Sequence, residues 1–228
     1  MKDFGLAGEG VTDQIVLENV LFGLYGDVDE FDEDEIAYLQ PLLDATDEDG
    51  LGSWTRLFTY LDNKRFRADV LNHQFVIIQV DTDVAVADGG FDVGLVDENN
   101  KPLPVEGVVD KVKHRLIAQI DGAKEGFYDE HKENIVFAIS VHSLECWLFN
   151  LHNKNAKHAG RILSCKDHLQ KVVAADRKLP KFAKNKPIYD ELSALFYKKK
   201  GKKIAEVAKV DVSFGILIEK LQALPYPP

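Results

Sequence analysis

Four acidic residues follow short apolar segments at three separate places along the chain: Glu9, Asp81, Asp83 and Glu145. Carboxylates that are brought together repel one another and raise one another's pKa values unless a cation lies among them. Mg²⁺ and Mn²⁺ prefer oxygen ligands, and Mg²⁺ in particular is held by a few carboxylates, water and substrate phosphate. If the fold brings these side chains together, they predict a Mg²⁺ or Mn²⁺ site that acts on a phosphate ester.

Each of these residues also has a local structural explanation. Glu9 alone is typical of a turn near a helix N-terminus, where the helix dipole favours a negative charge. Asp81 and Asp83 alone are typical of the turn that follows a strand. Glu145 fits the first turn of a helix whose N-cap is Ser143. The occurrence of all of them in one order favours the metal site over these separate explanations.

The apolar segments before the acids are predicted strands. Phe4–Ala7, FVIIQV (75–80) and NIVFAISVH (134–142) are nearly continuous apolar runs, as in strands that are buried on both faces. Helical patterns lie between them, including an amphipathic one over Val105–Ile120. Strands that alternate with helices predict an α/β fold with a mainly parallel sheet. The carboxyl ends of parallel strands share one edge, so we expect the acids to meet there.

Three further elements are predicted: a helix capped by Thr12 or Asp13 that ends at about Tyr25, a short helix over Glu35–Asp44, and two short strands around a turn at Glu98–Lys101. The acidic stretch 27–50 surrounds the short helix. It does not fit a calcium-binding loop because, counting from Asp44, the required glycine falls one position late. We therefore interpret this stretch as an exposed acidic loop.

The last third of the chain differs in charge from the rest. Residues 151–228 carry 17 lysines and arginines and 7 acids, whereas residues 1–150 carry 11 and 31. Short helices are predicted there over Cys165–Arg177, Pro187–Lys199, Lys203–Lys209 and Val212–Leu224. The sequence thus predicts an α/β domain over residues 1–150 and a Lys-rich helical extension over 151–228 that packs on it.

Six lysines of this extension are candidates for nucleic-acid binding: Lys181, Lys184, Lys186, Lys198, Lys199 and Lys200. Basic side chains that neutralise phosphates supply most of the affinity for nucleic acid. Phe182, Tyr189 and Tyr197 are aromatic residues of the same region that could stack on bases. A solvated lysine-rich face explains any one of these clusters equally well.

The order GEGVTD, VIIQVDTD and ISVHSLECWLF resembles the Toprim superfamily, and it is most similar to small stand-alone proteins of the OLD/RloB type from bacterial anti-phage defence loci. The resemblance covers roughly residues 4–150. It implies that Glu9 is a general acid/base or a metal ligand, that Asp81 and Asp83 hold Mg²⁺, and that Glu145 completes the metal site. OLD enzymes often use a lysine, but no lysine or arginine lies beside these motifs in the sequence. A lysine from the last third is an open candidate.

Two functions remain open from the sequence. The first is a Mg²⁺- or Mn²⁺-dependent nuclease that acts on DNA or RNA in anti-phage defence. The second is a non-catalytic regulatory or toxin-type protein that works through a protein partner such as an ATPase. Nucleotidyl transfer of the primase kind would use the same acids and ranks below both.

The two cysteines, Cys146 and Cys165, have no CxxC spacing, and no signal peptide is recognised. We therefore expect reduced thiols and a cytoplasmic protein. No run of 18 apolar residues occurs, so no membrane association is expected. The sequence leaves a homodimer open.

Overall fold

The computed structural model describes residues 2–28, 31–42, 53–85, 90–198 and 201–226. Its sheet consists of β1 (Lys2–Ala7), β2 (Ile36–Gln40), β3 (His73–Asp81) and β4 (Ile135–Ser140). The strand order is β2-β1-β3-β4, and every neighbouring pair is parallel. The predicted α/β fold with a parallel sheet is confirmed.

Helices surround this sheet. In chain order they are α1 (Val11–Tyr25), α2 (Ser53–Leu61), α3 (Lys64–Asn72), α4 (Val105–Asp121), α5 (Phe127–His131), α6 (Glu145–His152), α7 (Cys165–Ala175), α8 (Lys186–Ser193), α9 (Leu195–Lys198), α10 (Lys202–Ala208) and α11 (Val212–Gln222). In the described part of the chain, none of them combines the length and apolar character needed to cross a membrane.

The central strand β3 is covered on both faces. Phe75 and Ile77 belong to one buried layer, whereas Val76 and Ile78 belong to the other. Complete burial of side chains of this size stabilises a fold by about 1.5–3 kcal/mol each. The nearly continuous apolar pattern of β3 is therefore what a strand between two helix layers requires.

The two helix layers come from different parts of the chain. Helices α2, α3 and α4 supply the buried residues on one face of the sheet. On the other face, α1 and α6 share a buried layer with α7, α8, α10 and α11. Trp147 of α6 lies in this second layer, fully buried, and its Nε1 donates a hydrogen bond to Ser213 Oγ at 3.0 Å. Side chains from both sides of residue 150 thus form one packed layer.

The predicted helix over Glu35–Asp44 is wrong in its described part, because Ile36–Gln40 forms β2 instead. Its residues pair with the outer edge of β1, and Ile36 and Leu39 are buried by this pairing. The strand ends before a cis peptide bond between Gln40 and Pro41. Contact with β1 outweighs the local helical tendency of this acidic segment. Residues 43–50 lie outside the described residues.

Two smaller predictions also need correction. The N-cap of α1 is Gly10, not Thr12 or Asp13, and the Asp13 carboxylate accepts a hydrogen bond from the Gly10 backbone N–H at 2.8 Å. The turn predicted at Glu98–Lys101 is present, with Asp97 N donating to Lys101 O at 2.8 Å. Its flanks meet only at a single antiparallel bridge rather than as two strands.

The two cysteines are joined by a disulfide bond, which contradicts the expectation of reduced thiols. Cys146 of α6 and Cys165 of α7 are both buried, and their Cα atoms lie 4.8 Å apart. The sequence does not indicate this disulfide, because the two cysteines are 19 residues apart and meet only through the side-by-side packing of α6 and α7. Disulfides are rare in cytosolic proteins. The expected cytoplasmic location therefore loses its cysteine argument and stays a prediction.

Candidate active site at the carboxyl edge of the sheet

The strand order changes direction at β1, because the chain places β2 on one side of β1 and β3 on the other. Ligands of parallel α/β sheets bind outside the carboxyl ends of the strands at such a switch point. Glu9 follows the end of β1, and Asp81 is the last residue of β3. These two residues therefore lie at the switch point, as the sequence predicted for the acids as a group.

Glu9 and Asp81 are in direct contact. Glu9 Oε1 accepts a hydrogen bond from the Asp81 backbone N–H at 2.8 Å. The Asp81 carboxylate is held separately, because its Oδ1 accepts hydrogen bonds from Gln79 Nε2 at 2.8 Å and from the Leu144 N–H at 3.0 Å. Burial raises the pKa of Asp81 well above its usual value, and the nearby charges of Asp13, Glu9, Glu145 and Asp83 add to the increase.

Asp13 also belongs to this cluster. It was missed as a candidate because its place in the sequence indicated only a helix cap. Asp13 is 6% exposed as a residue and lies in the first turn of α1. Burial raises the pKa of Asp13 to about 6, Glu145 contributes to the increase, and Lys184 opposes it. The signal in the sequence was its position four residues after Glu9, at the end of α1 that faces the same sheet edge.

Glu145 is buried, at 5% exposure. Its Oε1 accepts a hydrogen bond from the Tyr189 hydroxyl of α8 at 2.6 Å. Burial acts to raise the pKa of Glu145, but hydrogen bonds from Tyr189 and Ser143 and the charge of Lys184 outweigh it, so that the pKa is lowered. Glu145 thus stays ionised behind the cluster and adds a fixed negative charge.

Asp83 lies beside the cluster on the turn that follows β3. Its side chain is exposed, and its backbone N–H donates to His142 O at 2.9 Å. Partial burial and the Glu145 charge raise the pKa of Asp83, whereas His142 and Lys184 oppose the increase. The side chain does not line the cleft described next, so the structure separates Asp83 from the acids that do.

A cleft of about 490 Å³ opens above these acids, here called the switch-point cleft. Three carboxylates and three basic side chains line it: Glu9, Asp13, Asp81, Arg56, Lys184 and Lys186. Lys184 remains exposed to solvent. Its ammonium group is nevertheless partly buried, which acts to lower the pKa of Lys184, but the charges of Asp13, Glu145, Asp81 and Glu9 outweigh this effect and raise the pKa. No basic residue lies beside the motifs in the sequence, but the fold brings three basic side chains to the cleft.

The packing of α8 explains how Lys184 reaches this cleft. Asn19 of α1 donates to Ser193 Oγ of α8 at 2.7 Å and to Asp190 Oδ1 at 3.0 Å. Tyr189 of the same helix reaches back to Glu145. These contacts fix α8 against α1 and α6, so the segment before α8 lies over the carboxyl edge of the sheet.

The predicted nucleic-acid lysines are divided by the structure. Lys184 and Lys186 line the switch-point cleft, whereas the exposed Lys181 does not. Lys198 ends α9, with its Nζ 5.8 Å from the centre of the Tyr197 ring. Lys199 and Lys200 lie outside the described residues.

A groove of about 960 Å³ lies between Lys186 and Tyr197, here called the acidic groove. Four acids line it: Glu18, Asp27, Glu33 and Asp190. Phosphates are repelled by such a wall. Among the residues that the structure describes, Lys186 is the one lysine that lines this groove, so the described lysines do not form a continuous basic track along it.

The donors of the switch-point cleft fit one kind of metal site. Among the residues that the structure describes, no three His, Cys, Asp or Glu side chains are grouped so as to hold a metal ion. Mg²⁺, however, is usually bound through one or two carboxylates, with water and substrate phosphate completing its shell. Glu9 and Asp81 suit this open arrangement, whereas a closed cage built from the predicted acids is not present.

Comparison of the chain with known protein families, with characterised proteins and with solved structures finds no match. The Toprim resemblance therefore stays a prediction that depends on the motif residues alone.

Proposed function

We propose that this chain is a Mg²⁺- or Mn²⁺-dependent phosphodiesterase that acts on DNA or RNA. The observation that carries the proposal is the convergence of Glu9, Asp13 and Asp81 with Lys184 in one cleft at the switch point of the sheet. Clustered carboxylates attract a divalent cation, and basic side chains on the same wall attract the phosphate that the cation also binds. The anti-phage setting depends only on the motif resemblance.

Residues of the cleft have different roles in this proposal. Glu9 and Asp81 hold the cation, which when bound polarises the phosphate and lowers the pKa of a bound water. Lys184 neutralises charge on the phosphate oxygens. Asp13 adds a third carboxylate beside Glu9 and Asp81 in the cleft. Asp83 has no assigned role, since it lies outside the cleft.

Replacing Asp81 tests this proposal. Asp81→Asn removes the charge that holds the cation but keeps the shape of the side chain, so Mn²⁺-dependent cleavage of DNA and RNA should fall at least ~100-fold. Glu18→Gln, in the acidic groove, is the matched control and should cleave as the wild type does. Cleavage by Asp81→Asn at the wild-type rate would refute the assignment, as would the absence of metal-dependent cleavage in the wild type.

A second function is favoured by the acidic groove. A non-catalytic protein would use these acids to bind a basic partner protein, such as an ATPase subunit, and would need no metal in the switch-point cleft. Under this alternative, Glu18→Gln combined with Glu33→Gln weakens partner binding, and Asp81→Asn has no effect on it. The two functions therefore predict opposite sensitivities of the cleft and the groove.

A further inference from the structure

Gln79 is a polar residue in an otherwise apolar part of β3. Phe75 and Ile77 precede it at alternate positions and pack into the helix layer that contains α1. Gln79 is completely buried on the same face of the strand. The pattern of β3 predicts an apolar residue here, so the amide needs a separate explanation.

The contacts of Gln79 lead directly to Asp81. Its Nε2 donates to Asp81 Oδ1 at 2.8 Å and to Ser140 Oγ at 3.1 Å. Its buried Oε1 has no hydrogen-bond partner among the described residues. Asp81 Oδ1 also accepts a hydrogen bond from the Leu144 N–H, so this oxygen is an acceptor and the amino group of the amide must face it. The orientation of the amide is thus set by Asp81.

This arrangement does not favour folding. A buried acceptor without a donor keeps the whole cost of its desolvation, which an apolar side chain of the same size would avoid. Residues that break a local rule in this way are expected at functional sites. The presence of Gln79 is therefore explained by its hydrogen bond to Asp81 and not by a contribution to the stability of the core.

We propose that Gln79 is a positioning residue for Asp81. Together with the Leu144 N–H, its amide holds Asp81 Oδ1, which leaves Oδ2 as the oxygen that binds the cation. Ser140 in turn fixes the amide from β4, where Ser140 is the register partner of Asp81. This role depends on the proposed function of the cleft as a site for a divalent cation.

The test replaces Gln79 by methionine, which has a similar volume and no donor. Mn²⁺ is titrated calorimetrically in the presence of a short single-stranded oligonucleotide, and thermal unfolding is followed without metal. Loss of a group that orients a metal ligand weakens metal binding by about 10-fold or more. Gln79→Met should therefore bind Mn²⁺ about 10-fold more weakly, with an unchanged or higher Tm. Ile77→Met, two residues earlier on the same face, should keep the wild-type affinity.

A purely structural role predicts the reverse, namely a lower Tm with unchanged Mn²⁺ affinity, and that result would overturn the proposal. If Gln79→Met does not fold, Ser140→Ala removes the other partner of the amide and should weaken Mn²⁺ binding several-fold; wild-type affinity there would also count against the role. Asp81→Asn separates the two claims. If it abolishes Mn²⁺ binding while Gln79→Met has no effect, only the role of Gln79 is wrong. If the wild type binds no Mn²⁺, both proposals fall.

Discussion

The switch-point cleft and the acidic groove are two concave regions that lie side by side and share Lys186, yet they are built differently. The groove is the larger, at about 960 Å³ against about 490 Å³. Its acids lie on helices and loops of the surface, with Glu33 and Asp190 exposed. Two carboxylates of the cleft lie at strand ends and the third, Asp13, lies in the first turn of α1; all three accept hydrogen bonds from backbone N–H groups. Fixed convergence of charged groups, rather than volume, marks the candidate site.

The acids of the two regions also differ in what surrounds them. In the groove, burial, Glu33 and Asp190 raise the pKa of Glu18, and a hydrogen bond from the Tyr38 hydroxyl at 2.5 Å opposes the increase. In the cleft, the pKa of Asp81 is raised by burial and by four other carboxylates. More carboxylates therefore act on Asp81 than on Glu18, and we expect a divalent cation beside Asp81.

After Asp81→Asn, the largest difference between the cleft and the groove is expected when a lysine of the cleft and a lysine beyond the groove are replaced separately. Lys184→Met should weaken binding of a short oligonucleotide about 10-fold at low salt and reduce the slope of log K against log salt by about 1, because one phosphate contact is lost. Lys198→Met, beyond the acidic groove, should leave the affinity unchanged. Filter binding over a series of salt concentrations measures both variants. Equal losses in the two would mean that nucleic acid crosses the groove after all.

A smaller effect is expected on stability. The pKa of Asp13 is raised from 3.8 to about 6 in the folded chain, so the folded state binds this proton more tightly than the unfolded state does. The resulting stabilisation is complete below a pH of about 4 and is lost as the pH rises through about 6. Asp13→Asn removes the buried charge and should raise the free energy of unfolding at pH 7 by roughly 1 kcal/mol.

Urea unfolding at several pH values, with EDTA present, measures this change. Asp13→Asn should also flatten the fall in stability between pH 4 and pH 6, because the group that takes up the proton is gone. Glu33→Gln, on the exposed wall of the acidic groove, should change stability by less than about 0.5 kcal/mol at either pH. A loss of stability in Asp13→Asn at pH 7 would show that the hydrogen bond between its carboxylate and the Gly10 N–H contributes more than burial of the charge costs.

The elements that the sequence predicted correctly are those whose burial leaves a clear pattern. Strand β3 and helix α4 are examples, since both faces of β3 and one face of α4 are covered. Strand β2 was missed because it is a short strand in an acidic segment, and it exists through its pairing with β1. Contacts of this kind are set by the tertiary fold, which local propensity does not contain.

The same distinction applies to the site. Glu9 and Asp81 were predictable because each follows an apolar strand, and the parallel sheet brings strand ends together. Lys184 was named only as a candidate for nucleic-acid binding and Arg56 was not named, because only the packing of α8 and α2 brings them to the switch-point cleft. In the sequence, Gln79 differs from its neighbours only as a polar residue within an apolar run. Its hydrogen bond to Asp81 is a feature of the folded chain alone.

The central claim is that the switch-point cleft, and not the acidic groove, binds a divalent cation. Crystals soaked with Mn²⁺ and a short oligonucleotide test it most directly through the anomalous scattering of the metal. We expect an anomalous peak between Glu9 and Asp81 in the wild type and none in Asp81→Asn. A peak beside Glu18 and Glu33 instead, or no peak in the cleft with the oligonucleotide bound there, would contradict the account.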